Sequence, residues 1–336
     1  MLSKKTLVTG GAGFIGSHLV DKLLEEGHEV IVLDNLVTGN KNNLSHIKDR
    51  ISFFNVDITN FEEILPLCDK VDWVFHLAGL ADIVPSIENP LKYYNSNVNG
   101  TISLLEASRI QKIKKFIYAA SSSCYGIPVE YPTNENSKIS PMYPYALTKF
   151  QGEEAVLHWN KVYGLNTISL RLFNVYGPRS RTSGAYGAVF GVFLAQKLSN
   201  KPFTIVGDGN QLRDFIFVTD VVNAFIESAK SNIENDVFNV GTNKPNSINK
   251  LVQLLGNDNG VVNLPKRKGE PQQTNADISY IKSQINWSPK VNFENGVKIM
   301  LKNIENWQGA PIWDKKSIAE QTKTWFKYMN LIIFNE

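Results

Sequence analysis

KTLVTGGAGFIG, residues Lys5 to Gly16, sets a short apolar run (Thr6 to Thr9) directly before a glycine-rich turn. A helix-period segment from Ser17 to Glu26 follows. The glycines at Gly10, Gly13 and Gly16 have the spacing that a diphosphate on a helix N-terminus requires. One makes the tight turn, one lets backbone N–H groups approach the pyrophosphate beside Phe14 and Ile15, and one lets helix and strand pack closely. A glycine turn alone is weak evidence, because many tight turns contain glycine. Here a second strand, Glu29 to Leu33, ends in Asp34, at the distance of about 20 residues where a carboxylate meets a ribose 2′-hydroxyl. That carboxylate would repel a 2′-phosphate, which favours NAD over NADP, although Asn35 stands beside it.

Outward from this stretch, short apolar runs alternate with helix-period segments to about residue 165. Strands are predicted at Ile51–Asn55, Trp73–Leu77, Lys115–Ala119 and Asn166–Leu170, and helices around Phe61–Leu67, Leu91–Ile110 and Tyr145–Tyr163. Such alternation predicts right-handed βαβ units, so the fold class is α/β with a doubly wound parallel sheet covered on both faces. Later strands are expected at Thr204–Val206 and Val237–Val240, around a helix at Asp220–Ser228. The last third reads as less regular, with a loop-rich region at Gly177–Gly187, a helix at Val189–Leu198 and a tail rich in Asn, Lys and Trp. Residues 1–175, with a contribution from 205–245, are expected to bind the dinucleotide, and 176–336 to form a smaller mixed substrate-binding region. In the tail, Ile318, Thr322, Trp325, Phe326 and Met329 fall near helical spacing and predict a packed amphipathic helix. Trp307 and Trp313 fit a pocket cover or an oligomer surface equally well.

Composition narrows the classes. A hydrophobic fraction of 43% and a charged fraction of 20% are those of a soluble globular protein. The net charge of +3 is too small to argue for nucleic acid or an anionic membrane surface. No apolar stretch approaches the roughly 20 residues that cross a bilayer. Lys4 and Lys5 lead into a strand and a glycine turn, so no secretory signal is expected. Cys68 and Cys124 make neither a disulfide framework nor a metal-ligand spacing, and a reducing cytoplasm without a bound metal is the expectation.

Asp57, in NVDITN, is placed either to accept a hydrogen bond from an adenine amino group, with Ile58 beside it, or to cap a turn. Leu77, Ala78 and Gly79 follow His76 at the end of the fourth strand, where small residues let the backbone approach a ligand. His76 itself reads as structural. The fifth strand runs into Ser121, Ser122 and Ser123, three hydroxyls at the carboxyl end of a central strand. Tyr145 and Lys149, in PYALTK, are four apart and share a helix face. An ammonium beside a phenol stabilises the phenolate and draws its pKa down from about 10. Such a phenolate takes a proton from a sugar hydroxyl as hydride leaves the same carbon, and Ser121 holds that oxygen.

Taken together, TGGAGFIG, HLAG, SNVNGT, YPYALTK, LRLFNVYGPR and QLRDFIFVTDV resemble the extended short-chain dehydrogenase/reductase family. Within it they look most like nucleotide-sugar 4-epimerases of the UDP-glucose and UDP-N-acetylglucosamine kind, over residues 5 to about 300. The resemblance implies a Rossmann-type fold, tightly held NAD, and a catalytic group of Ser121, Ser123, Tyr145 and Lys149. It implies a 4-keto sugar that turns over in the site and takes hydride back on its other face. Asn97 or Asn99 matches the cofactor-side asparagine. Ser86 and Ser122 fall on the sugar side. Asn174 matches the residue holding the diphosphate, Arg213 and Arg267 its two clamping arginines, and Asp277 a carboxylate near the ribose. An arginine fork suits phosphate oxygens better than lysine does. Without the family, Arg213 beside Asp214 would read as a surface ion pair and Asp277 as a helix cap before Ile278–Ile285. The resemblance also implies a homodimer through a four-helix bundle of the segments at 91–110 and 145–163.

The chain departs from the pattern at three places. Ser122 and Ser123 stand where dehydratases carry an Asp-Glu pair and decarboxylases a Glu, so no carboxylic acid is available there for 4,6-elimination. Ala81-Asp82 replaces a lysine that many glucose-type epimerases carry after HLAG. Thr274 replaces a tyrosine of the narrowest epimerases, leaving room for an N-acetyl group or a longer carbon chain. The nucleotide is expected to be UDP, with GDP as the second choice. One rival shares every catalytic residue, a 4-dehydrogenase that releases the keto sugar, for example from a GDP-heptose. A catalytically silent NAD sensor is the other, and Tyr145 and Lys149 argue against it.

Overall fold

Leu7 and Val8 are both fully buried and point to opposite faces, as they must in a strand covered on both sides. The same alternation repeats at Val74 and Phe75 and at Phe116 and Ile117, so two hydrophobic layers sandwich one sheet. The structure, a computed structural model, describes residues 3–180, 189–256, 258–267 and 269–329. Most of the loop expected at 177–187 lies outside the described residues.

The first half runs β1 (Lys5–Thr9), α1 (Phe14–Glu25), β2 (Glu29–Leu33), β3 (Ser52–Phe54), α2 (Phe61–Leu67) and β4 (Trp73–His76). It continues through α3 (Ile83–Glu88), α4 (Pro90–Tyr94), α5 (Gly100–Ile110), β5 (Lys115–Ser121), α6 (Pro144–Tyr163) and β6 (Thr167–Leu172). After β7 (Asn174–Tyr176) come α7 (Val189–Leu198), β8 (Phe203–Val206), β9 (Leu212–Arg213), β10 (Phe215–Phe217), α8 (Val218–Lys230) and β11 (Asn235–Val240). The remainder is β12 (Asn246–Ser247), α9 (Ile248–Leu255), β13 (Val261–Leu264), α10 (Ser279–Ile285), α11 (Phe293–Lys302) and α12 (Lys315–Met329).

Seven parallel strands pair in the order β11-β6-β5-β4-β1-β2-β3. The chain winds one way from β1 to β3 and the other way from β4 onward, so a crevice opens at the carboxyl ends of β1 and β4. Helices α1 and α8 cover one face and α2, α5 and α6 the other. A third core joins α7, α9 and α11 to the β7–β10 and β8–β13 pairs, around Tyr176, Phe190, Phe215 and Phe293. Tyr176 and Phe190 stack at 4.4 Å, and Phe215 and Phe293 at 5.1 Å.

The sequence predicts one helix over 91–110. The chain is helical throughout that range, but Asn95–Asn99 is a π-helical turn between α4 and α5. Helix α1 starts three residues earlier than predicted, at Phe14, because Gly13 already serves as its N-cap. The last third is more regular than expected. Ile248, Leu251, Val252 and Leu255 bury one face of α9, and Phe293, Val297 and Met300 one face of α11. Both helices start at side-chain caps, Ser247 and Asn292. Trp307 is buried in this third core.

The central sheet carries one buried ion pair. Glu153 of α6 and Arg171 of β6 are 1% and 5% exposed, with Arg171 Nη2 2.6 Å from Glu153 Oε1. Arg171 Nη1 also donates to the Tyr125 hydroxyl and the Glu135 carbonyl, each at 2.9 Å, and Ser169 Oγ donates to Glu153 at 2.8 Å. Glu153→Ala leaves the guanidinium buried without its carboxylate, and a loss of about 3–5 kcal/mol is expected. Denaturant unfolding monitored by circular dichroism checks this; a change below about 1 kcal/mol contradicts it.

Candidate active site

Two clefts, each of ≈ 540 Å³, open along the carboxyl edge of the sheet and share Phe14, Ile15, Ala81 and Val175 as common wall. That volume lies in the range of cofactor and ligand sites. The first cleft is lined by Gly10, Gly13, Phe14, Ile15, Asp34, Asn35, Asp57, Ile58, Leu77, Ala78 and Gly79. The second is lined by Ser121, Ser122, Ser123, Tyr145, Asn174, Arg213, Arg267 and Thr274. The structure thus sorts the predicted residues into two adjoining sites.

Gly10 adopts φ +69°, and a Cβ there would lie 2.7 Å from the Ala78 nitrogen. Only glycine fits both demands. The turn therefore sits flush against the end of β4, and the N-terminus of α1 faces the cleft with no side-chain cap. Its first-turn N–H groups and the helix dipole suit a diphosphate. Asp34 is buried and accepts from the Ala12 and Leu36 N–H groups at 2.9 and 2.8 Å, one on each oxygen. Burial pushes its pKa up while the two N–H donors hold it down. Each oxygen keeps a lone pair for a ribose hydroxyl. Asp57 lines the cleft and caps the turn. Its Oδ1 accepts from the Thr59 N–H and hydroxyl, and its Oδ2 from Asn35 Nδ2 at 2.8 Å. The residues present fit NAD: Gly13, Phe14 and Ile15 would face a diphosphate, and Asp34 would face a ribose.

Of the two candidate asparagines, Asn97 is buried and Asn99 is exposed. Asn97 Oδ1 accepts from the Leu80 N–H at 2.8 Å, and its Nδ2 donates to the Leu80 carbonyl and to Thr148 Oγ1. It pins the loop after β4 to α6 through the π-helical turn, a feature that often marks functional sites. His76 is fully buried between Thr9 Oγ1 at 2.8 Å and Thr101 Oγ1 at 2.9 Å. Burial lowers its pKa well below the usual range, so the ring stays neutral and structural.

Strand β5 delivers Ser121 to the edge of the sheet. Ser121 Oγ accepts from the Ser123 N–H at 3.2 Å and lies 2.8 Å from Ser123 Oγ. Helix α6 brings Tyr145 against the same hydroxyls: burial pushes its phenol up, and hydrogen bonds with Ser121 and Ser123 pull it down. Lys149, one turn on, is buried with its Nζ 4.2 Å from the centre of the Tyr118 ring. Desolvation pushes its pKa down to about 7, against the opposing pull of Glu153. The expectation of a phenol drawn toward neutrality therefore needs correction. In the protein alone, burial outweighs attraction for both groups, raising the phenol and lowering the ammonium.

On the substrate side, Arg213 and Arg267 converge on one carboxylate. Arg213 Nη2 lies 3.0 Å from Glu270 Oε1, and Arg267 Nη1 lies 3.8 Å from Glu270 Oε2. Arg213 is buried and Asp214 accepts four hydrogen bonds, from the N–H groups of Thr242, Asn243 and Ala276 and the Thr242 hydroxyl, so these neighbours form no surface ion pair. Thr274 Oγ1 donates to Asn174 Oδ1 at 2.7 Å and accepts from the Asp214 N–H. Glu270 is the residue sequence reasoning missed; a carboxylate three positions after Arg267 was its only signal. Four predicted residues stand apart from the lining of either cleft: Lys149 and Asn97, described above, and Asp277 and Ser86. Asp277 Oδ1 accepts from the Ser279 N–H at 2.9 Å, a turn just ahead of α10, whose N-cap is Ile278. Ser86 is buried inside α3 with its hydroxyl on the Ile83 carbonyl. Among the described residues no group of three His, Cys, Asp or Glu is placed to hold a metal ion, and no helix is long and apolar enough to cross a membrane.

Residues 6–241 match the NAD dependent epimerase/dehydratase family. UDP-glucose 4-epimerase of Mycolicibacterium smegmatis is 35% identical over 301 residues, 87% of this chain and 96% of that protein. The crystal structure of UDP-glucose 4-epimerase with UDP-glucose from Thermotoga maritima superposes with a TM-score of 0.85 at 35% identity, covering 90% of this chain and 98% of that one. UDP-N-acetylglucosamine 4-epimerase from Methanobrevibacter ruminantium, in complex with UDP-N-acetylmuramic acid, gives 0.84 at 36% identity, with coverage of 90% and 98%.

Lys149 also makes stability depend on pH. The group is neutral in the folded protein above about 7 but keeps its proton to about 10.4 when unfolded, so the unfolded state binds more protons in that window. Stability from this residue therefore rises with pH across the window and is lost as pH falls. Lys149→Met is expected to gain most over wild type near pH 7, the gain shrinking toward pH 10. Urea unfolding at both pH values, without added nucleotide, checks this; a gain that grows with pH contradicts it.

Proposed function

The chain belongs to the NAD-dependent epimerase/dehydratase family, and we infer that it inverts C4 of a UDP-linked hexose or N-acetylhexosamine. The observation that carries this reading is the position of Tyr145. It lines the second cleft together with Ser121 and Ser123, with Lys149 one helical turn behind it. NAD, when bound, supplies an acceptor that takes a hydride from C4 and returns it. Tyr145 takes the proton of the C4 hydroxyl and gives it back, exchanging roles as base and acid. Ser121 and Ser123 hold the C4 oxygen as hydroxyl and as carbonyl. Lys149, in its ammonium form, stabilises the phenolate as it forms.

Arg213, Arg267 and Asn174 are placed to take the diphosphate, the arginines exchanging Glu270 for phosphate oxygens. UDP is favoured over GDP because the relatives above carry UDP-sugar names. The same relatives favour return of the hydride over release of a keto sugar. Ser122 and Ser123, where dehydratases carry acids, weigh against elimination. Exposed Ile102 and Ile110 of α5, with Val162 and Tyr163 of α6, support a homodimer through these helices. The buried free thiols Cys68 and Cys124 suit a cytoplasmic setting.

Purified protein incubated with UDP-glucose and with UDP-N-acetylglucosamine is expected to yield the galacto epimer of at least one, read by NMR at C4. Tyr145→Phe is expected to lower kcat by about 10²–10⁴-fold while NAD still co-purifies. Accumulated 4-keto product, no inversion of either sugar, or unchanged turnover in Tyr145→Phe overturns the reading.

A further inference from the structure

Helix α12 is tied into the molecule at both ends. Asp314 and Ser317 cap its first turn, and Gln196 of α7 donates to the Trp313 carbonyl at 2.6 Å. At the other end Thr324 Oγ1 donates to Glu88 of α3 at 2.9 Å. Trp325 and Met329 are buried with Val84, against Ile83, Met142 and Tyr143. From this helix, Ile318 and Trp325 line the substrate cleft. The Trp325 ring lies 6.0 Å from that of Tyr143, which stacks on Tyr145 at 6.4 Å with the planes 8° apart. One ring thus separates the tail from the base.

We propose that α12 is a wall of the sugar subsite, and that its apolar face selects nucleotide sugars with an uncharged sugar against those whose sugar carries a carboxylate. The proposal rests on the epimerase reading for its ligand class. Ile83, Met142, Ile318 and Trp325 give the cleft beside Tyr145 an apolar side. Hydroxymethyl and acetamido groups lose little there, and their C–H faces pack on an indole. A carboxylate facing that side loses hydration that Ile83, Met142, Ile318 and Trp325 cannot replace. Among the described residues lining the cleft, the cations are Arg213 and Arg267, both already on Glu270.

The test is calorimetric titration of the full-length, NAD-loaded protein with UDP, UDP-N-acetylglucosamine and UDP-glucuronate. Wild type is expected to bind UDP-N-acetylglucosamine at least about tenfold more tightly than UDP-glucuronate. Ile318→Lys sets an ammonium on the wall and is expected to raise affinity for UDP-glucuronate at least about fivefold, with UDP affinity unchanged. A gain of this kind cannot come from misfolding. Trp325→Ala, which opens the wall to water, is expected to narrow the preference. Equal affinity of wild type for both sugars overturns the proposal, as does a wild-type ratio kept in both variants. C4 inversion followed on the same samples judges the epimerase reading separately, since the binding ratio decides the wall whether or not C4 inverts.

Discussion

A parallel sheet that reverses its winding must leave a crevice at the carboxyl ends of the two strands where the reversal occurs, here β1 and β4. Everything chemical in this chain hangs from that edge. The turn after β1 presents the uncapped helix, the end of β2 presents Asp34, and the end of β5 presents the serines. Gly10 is where the constraint is tightest: the turn and the end of β4 pack so closely that any side chain would collide with backbone. Substituents on the strands vary, but the crevice follows from the order in which they pair.

The price of chemistry at a dry edge is visible in the charges. Burial makes the phenol of Tyr145 a weaker acid and Lys149 a poorer cation. The opposing influences come from specific neighbours: Ser121 and Ser123 on the phenol, Glu153 on the ammonium. Glu153 therefore serves two regions, holding Arg171 in the sheet and favouring the charged form of Lys149. On the other side of the cleft, Glu270 holds Arg213 and Arg267 together, so two cations converge at one place on its wall.

Local pattern and order of elements were legible in the sequence because each is written in a short window. Strand alternation, the glycine spacing and the Tyr145–Lys149 interval needed only neighbours in the chain. The face-sharing pair of Asn97 and Thr148 and the pairing of Arg213 with Glu270 needed contacts across 51 and 57 residues, which no local period encodes. Helices α9 and α11 escaped notice because short apolar periodicity in an Asn- and Lys-rich region looks like loop. The protonation balance at Tyr145 was misjudged for a different reason: spacing gives proximity but says nothing about desolvation, and here desolvation is the larger influence. The tail was read as a packed helix, which it is, but its place against the cleft depends on where α3 and Tyr143 lie.

The central claim is that hydride leaves C4 and returns to the same carbon without meeting solvent. A UDP-hexose or UDP-N-acetylhexosamine deuterated at C4, incubated with the protein in ordinary water, measures this directly by NMR and mass spectrometry. Deuterium retained at C4 of the inverted product is the result this structure predicts. Inverted product carrying hydrogen from water at C4, or deuterium passed to the cofactor while a 4-keto sugar leaves the site, would contradict it.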